Sequence, residues 1–135
     1  MYDMKVYYKR STDGGEQWGP DTRLSISNRA YNPSVAVSGT FIHVVWNEVT
    51  SGVIGLRYLR STDAGNTWES EQHPVSTPFA QLPSIAVCGS DVNLVWDDRR
   101  DGNTEIYHTR STDDGVSWEN DTRLSEQADN SMWAS

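Results

Sequence analysis

One eight-residue pattern occurs three times in this chain of 135 residues, at Ser11–Trp18, Ser61–Trp68 and Ser111–Trp118, spaced by 50 residues both times. Each copy reads Ser-Thr-Asp-x-Gly-x-x-Trp and follows an arginine, Arg10, Arg60 or Arg110. A repeat this regular commits the chain to similar units that bury their apolar faces against one another.

Upstream of each copy lies a short strand-like run: Val6-Tyr7-Tyr8, Leu56-Arg57-Tyr58 and Ile106-Tyr107-His108. A polar, Gly-containing turn between two such runs reads as a β-hairpin. Within it the carboxylates of Asp13, Asp63 and Asp113 are short enough to accept from turn N–H groups, and the hydroxyls of Ser11, Ser61 and Ser111 bridge the turn. Gly15, Gly65 and Gly115 supply left-handed backbone. Trp18, Trp68 and Trp118 close the hairpins over apolar neighbours. The repeat extends further. Pro33-Ser34-Val35-Ala36-Val37 matches Pro83-Ser84-Ile85-Ala86-Val87, Val45-Trp46 matches Val95-Trp96, and Asp21-Thr22-Arg23-Leu24-Ser25 matches Asp121-Thr122-Arg123-Leu124-Ser125. Strands are expected near 4–10 and 17–25, then near 34–38, 41–47, 54–60 and 67–76, and again near 84–88, 91–97, 104–110 and 117–124. Val6 and Tyr8, Leu56 and Tyr58, and Ile106 and His108 share one face in each copy. The fold class is all-β, and four short strands in a unit of this length suit a β-propeller blade.

The Ser-x-Asp-x-Gly-x-x-Trp pattern resembles the Asp-box, or bacterial neuraminidase repeat, of sialidases and related propellers. The resemblance implies four-stranded antiparallel blades, about two and a half per chain: a half blade over 1–30, full blades over 31–80 and 81–130, and the start of a further strand over 131–135. It also implies that the boxes are structural and lie away from the active-site face, and that a longer parent would be secreted. Sialidase catalysis requires an arginine triad, a Tyr nucleophile with a Glu partner, and an Asp acid/base. The first arginine belongs to an Arg-(Ile/Leu)-Pro motif ahead of the first box, which this sequence lacks. No catalytic residue is therefore assigned.

The 19 acidic and 11 basic residues give a formal charge of -8, which argues against nucleic acid and against an anionic membrane surface as partners. No apolar run is long enough to span a membrane, and no signal peptide opens the sequence. Cys88 is the single cysteine and reads as a buried small thiol. His43, His73 and His108 have no metal-ligand spacing, and Asp113-Asp114 lacks the oxygen series of a calcium loop, so neither metal nor cofactor is expected.

In a four-strand meander the loops between the second and third strands lie opposite the Asp boxes. Candidate ligand-binding residues there are Glu48, Asp97, Asp98, Arg99, Arg100 and Asp101, joined by Tyr31 from a connector. Arginines in pairs suit a carboxylate or phosphate, and planar polar groups suit sugar hydroxyls. The other connector residues are Asn28, Arg29, Asn32, Gln81, Gln127, Asp129 and Asn130. Trp46 and Trp96 read as core, with sugar stacking as the sharper alternative. Three functional readings follow: a non-catalytic module binding glycan or protein, a fragment of a sialidase or other Asp-box hydrolase, and a self-assembling structural repeat without a ligand. Two and a half blades leave two sheet faces uncovered. The expected partner is therefore another copy, with a dimer as the first form, or the remainder of a longer propeller.

Overall fold

A computed structural model describes residues 3–126; Gln127, Asp129, Asn130 and the expected strand over 131–135 lie outside the described residues. Those residues form nine strands: β1 (Tyr7–Tyr8), β2 (Thr22–Arg23), β3 (Ala30–Ser38), β4 (Phe41–Thr50), β5 (Val53–Ser61), β6 (Gln81–Cys88), β7 (Asp91–Asp98), β8 (Glu105–Ser111) and β9 (Thr122–Arg123). They make three separate antiparallel sheets, β1-β2, β3-β4-β5 and β6-β7-β8-β9, and none closes on itself. The fold is all-β. No helix long and apolar enough to cross a membrane occurs among the described residues.

The sheets stack in chain order, and side-chain alternation shows how. On β4, Ile42, Val44 and Trp46 join Val6, Ala30 and Leu59 in one apolar cluster, with Tyr8, Leu24 and Trp68 packed against it. The intervening Val45 faces the other way, into a cluster with Leu56, Tyr58, Ile85, Val92, Leu94, Trp96 and Tyr107. The middle sheet is therefore covered on both faces, which is why every residue from Ile42 to Val49 is buried, the polar His43, Asn47 and Glu48 included. Asn47 sits within the second interface. Its side-chain amide donates to the Ala80 carbonyl at 3.0 Å and its carbonyl accepts from the Leu82 N–H at 3.1 Å, which pins the connector entering β6.

The inner strands start earlier than the sequence pattern suggests. β3 and β6 begin at Ala30 and Gln81, and each contains a register shift, between Tyr31 and Ser34 and between Gln81 and Ser84. Asn32 (φ 54°) and Leu82 (φ 50°) adopt left-handed backbone there. Pro33 and Pro83 follow directly and have no N–H to give the ladder, so a bulge lets the strand run through the proline.

The fourth strands are far shorter than expected. The span 117–124 reduces to Thr122–Arg123, 17–25 to Thr22–Arg23, and 67–76 to a single bridge between Tyr58 and Gln72. The third strand of the first unit shrinks to Tyr7–Tyr8. The cause recurs in all three copies. Gly19, Glu69 and Glu119 donate backbone N–H groups to Arg10, Arg60 and Arg110 at 2.8, 2.9 and 2.8 Å. The next pairings, Tyr8 with Thr22, Tyr58 with Gln72 and His108 with Thr122, are out of step with those bonds by one residue. An extra residue on one strand breaks the ladder behind each box.

The chain ends differ from its middle. Ile85 is 7% exposed under the second sheet, whereas Val35, one repeat earlier, is 58% exposed, because the first sheet has no inner strands to cover it. Ile106 and His108 share a face as expected, but the buried member of the trio is Tyr107, at 7% exposure. The expected buried thiol is also corrected: Cys88 is exposed. It closes β6 opposite Asp91, on the face that alternation turns outward with the exposed Ser84 and Ala86.

Candidate functional site

The two ends of the sheets carry different chemistry. At the Asp-box end, the hydroxyls of Ser11, Ser61 and Ser111 donate to Asp13, Asp63 and Asp113 at 2.7, 2.8 and 2.7 Å. Each serine oxygen accepts from the N–H of Gly15, Gly65 or Gly115, at 2.8 Å in every copy. The same aspartate oxygen accepts from the N–H of Gln17, Thr67 or Ser117 at 2.8 to 2.9 Å. In the second and third boxes the Thr67 and Ser117 hydroxyls also donate to the carboxylate, at 2.5 Å. Those hydroxyls, then the turn N–H groups, hold Asp63 and Asp113 down to about 2. Asp13 is lowered chiefly by the Gln17 N–H and then by Ser11. In each box the carboxylate serves as the acceptor for its own turn, two donors reaching Asp13 and three each reaching Asp63 and Asp113.

The boxes also join the sheets. Tyr8 meets Trp68 edge-on at 5.0 Å, and Tyr58 meets Trp118 likewise at 5.0 Å. Arg60 donates across the interface to the Asp114 carbonyl at 2.7 Å, and Arg10 donates to the Ala64 carbonyl. Burial pushes the Tyr58 hydroxyl up and lowers His43, whose Nδ1 lies 2.7 Å from that hydroxyl.

At the opposite end stand the candidate ligand-binding residues. Glu48 is 2% exposed and accepts from the Trp46 indole at 2.8 Å and from the Ser27 N–H. One repeat later Asp98 is fully buried and accepts from the Trp96 indole at 3.0 Å. Both tryptophans are fully buried, so neither offers a sugar-stacking platform. Asp98 also accepts from the Arg100 N–H at 2.9 Å and its guanidinium at 2.6 Å, and that guanidinium reaches Asp121 at 2.5 Å while lying 4.1 Å above the Tyr107 ring. Burial opposes the Arg100 charge, but the Asp98 and Asp121 hydrogen bonds outweigh it and raise the group further. The Tyr107 hydroxyl donates to Asp101 and is pushed up to about 12 by burial and then by that bond. Arg123 spans Asp101 at 3.6 Å and the buried Glu105 at 2.7 Å, and Glu105 also accepts from Asn103 and Ser125.

The fold thus gathers Asp98, Arg100 and Asp101 into one network with Glu105, Tyr107, Asp121 and Arg123. Arg99 is exposed and its Nε donates to Thr104 at 3.0 Å. Asp97 is buried on the alternate face of β7, and burial raises its carboxyl against the pull of Arg99. Tyr31 and Glu48 belong to the middle sheet; Tyr31 pairs with Asn47 in register, and Glu48 lines a cleft of about 410 Å³ with Ser27, Thr50, Arg57, Glu71 and His73. Sequence reasoning missed Tyr107, Asp121 and Arg123 as parts of this network. The repeated Asp-Thr-Arg-Leu-Ser segment carried the signal, since Arg23 and Arg123 make the same bond, to the carbonyls of Ser25 and Ser125 at 2.8 and 2.7 Å. No group of three or more His, Cys, Asp or Glu able to hold a metal occurs among the described residues.

Compared by sequence, the chain matches no protein-family model and none of the curated proteins. Compared by structure, it is similar to the NanB sialidase from Streptococcus pneumoniae, solved in complex with 2-[(3-chlorobenzyl)ammonio]ethanesulfonate, with a TM-score of 0.54 and 18% identity. The similarity covers 87% of this chain and 18% of that one, so the chain spans under a fifth of the sialidase it matches. The stacked sheets are, at this distance, a partial match to a sialidase propeller fold.

Proposed function

We infer that the chain is a non-catalytic Asp-box propeller module that binds a glycan or a protein surface through the loop end opposite the boxes. In this reading each sheet is a blade, with 31–80 and 81–130 as whole blades and 1–30 as half of one, and the box residues are structural. The observation that supports a binding role over catalysis is the saturation of the buried acids at the loop end. Glu48, Asp98 and Glu105 each accept at least two hydrogen bonds from protein donors. A general acid or nucleophile needs a carboxyl turned toward a substrate, not one held by its own fold. Arg99 and Asp101 remain at the rim to meet a polar ligand, with Tyr31 beside the neighbouring sheet. A screen of sialylated and neutral glycans against the wild type and Arg99→Ala tests this. Binding that falls at least tenfold in the variant supports the module, and equal binding by both removes Arg99 from it.

A second reading, a fragment of a sialidase or another Asp-box hydrolase, is favoured by the small share of the matched sialidase that the chain spans. Turnover of a fluorogenic sialoside by the chain alone would decide for it.

A further inference from the structure

Each sheet presents one half of a joint forward and the other half backward. From the first sheet, Tyr8 packs on Trp68, its hydroxyl lies over Gly65, and Arg10 donates to the Ala64 carbonyl. From the second, Tyr58 packs on Trp118, its hydroxyl lies over Gly115, and Arg60 donates to the Asp114 carbonyl. The receiving pair is left-handed in both cases, with φ of 58° and 84° at Ala64 and Gly65 and 57° and 83° at Asp114 and Gly115. That backbone turns a carbonyl toward the arriving arginine whatever the side chain.

Among the described residues, one receiving half and one donating half have no counterpart. Gly14 and Gly15 have the same left-handed backbone, at 73° and 95°. Trp18 is 59% exposed, and a Cβ built at Gly15 would meet nothing nearer than that ring, at 3.9 Å. On the third sheet Arg110 is held by Glu119 at 3.0 Å, as Arg60 is held by Glu69 at 2.6 Å, with 44% of its side chain exposed. His108 stands in the place of Tyr8 and Tyr58, its Nε2 lying 3.0 Å from the Asn93 Oδ1.

We propose that a second copy of this chain docks head to tail on the third sheet, with Arg110 donating to the carbonyl of Gly14 of that copy and His108 packing on its Trp18. The occupant is a second copy because, among the described residues, the first and third sheets carry the two complementary halves of a joint that the chain makes twice between neighbouring sheets. The inference goes beyond the binding role above and stands independently of it. A contact between unlike surfaces is heterologous, so copies add head to tail until a ring closes, and even a two-copy ring then holds two such joints. It therefore differs from a simple dimer in what complementation shows.

The test is light scattering on the full chain over a hundredfold concentration range, with Trp18→Ala, Arg110→Glu, and an equimolar mixture of the two. Both residues are exposed, and far-UV circular dichroism checks folding; Arg110→Gln replaces Arg110→Glu if the latter fails to fold. The wild type is expected to rise from the 15.2 kDa monomer through higher species, while each variant alone stays monomeric. The mixture is expected to reach twice the monomer mass and no more, because it holds one working joint per pair. A wild type that stays monomeric throughout, variants that assemble like the wild type, or a mixture no heavier than its components would each overturn the proposal.

Discussion

The Tyr58 hydroxyl occupies the space where a side chain at Gly115 would begin. A Cβ there would overlap that hydroxyl and sit 2.8 Å from the ring Cζ. Gly115 also has φ of 83°, so glycine is required twice, by space and by backbone. Gly115→Ala is expected to cost about 2–4 kcal/mol, from overpacking and left-handed strain together. Tyr58→Phe on that background should recover part of the loss in denaturant titration. Full wild-type stability in Gly115→Ala would show that the two sheets do not need this fit.

Trp118 donates its indole N–H to Gln72 at 3.3 Å, whereas the buried Trp68 N–H has no hydrogen-bond partner. The position equivalent to Gln72 one repeat earlier is Thr22, whose side chain is too short to reach. Thr22→Gln should therefore stabilise the domain by about 1 kcal/mol, the usual worth of a hydrogen bond to an orphaned group. Thermal melts read this directly, and an unchanged midpoint would mean that the glutamine does not reach Trp68.

Trp68 is half-buried in the first inter-sheet cluster and Trp18 is 59% exposed. Removing Trp68 to Ala is expected to cost about 2–3 kcal/mol, below the range for a wholly buried aromatic, while Trp18→Ala should stay within about 0.5 kcal/mol. Equal losses in urea titrations at low protein concentration would contradict the one-way stacking.

Arg99 and Arg100 are neighbours in sequence with opposite structural weight. Arg100→Ala strips the buried Asp98 of its cation and is expected to cost about 2–3 kcal/mol, somewhat less than a fully buried pair because Arg100 is partly exposed. Arg99→Ala, which loses a bond to Thr104 from an exposed side chain, should cost no more than about 0.5 kcal/mol. Chemical denaturation of the two variants separates them.

Acid should loosen the boxes in a defined window. Asp63 and Asp113 lie at about 2 in the folded protein against an ordinary value of 3.8. The unfolded chain therefore binds protons first, and the stability these groups supply is complete above 3.8 and is lost as pH falls from there through about 2. Asp113→Asn should lower stability at neutral pH and flatten its fall across that window. An acid-unfolding curve parallel to the wild type would count against the carboxylate as its source.

The repeat, the strand faces and the position of the boxes were legible in the sequence because each is a matter of spacing. The three serines, aspartates and glycines recur in step, and the structure gives them nearly identical bonds. The fourth strands were not legible, because the one-residue slip behind each box leaves no trace in a hydrophobic pattern. Cys88 was misjudged because the apolar run before it hides the alternation that turns Ser84, Ala86 and Cys88 outward. The loop network was half legible. Asp98 and Arg100 stood out as charges, but Tyr107 entered it only because the third sheet turns that ring under Arg100. Similar charge density at Arg99 ended in exposure, since a single step along the chain changes which neighbours a side chain meets.

The two-sided cover of the middle sheet has a consequence for how the molecule opens. Amides of β4 and β5 can exchange with solvent only when both flanking interfaces are lost, so their opening free energy should approach that of global unfolding. The pair Tyr7–Tyr8 and Thr22–Arg23 leans on one neighbour alone and should exchange fastest. In a nearest-neighbour array, a sheet gains protection from what is stacked behind it as much as from its own ladder. Whatever covers the first and third sheets would therefore be registered as slowed exchange at the ends of the molecule, with the centre left almost unchanged.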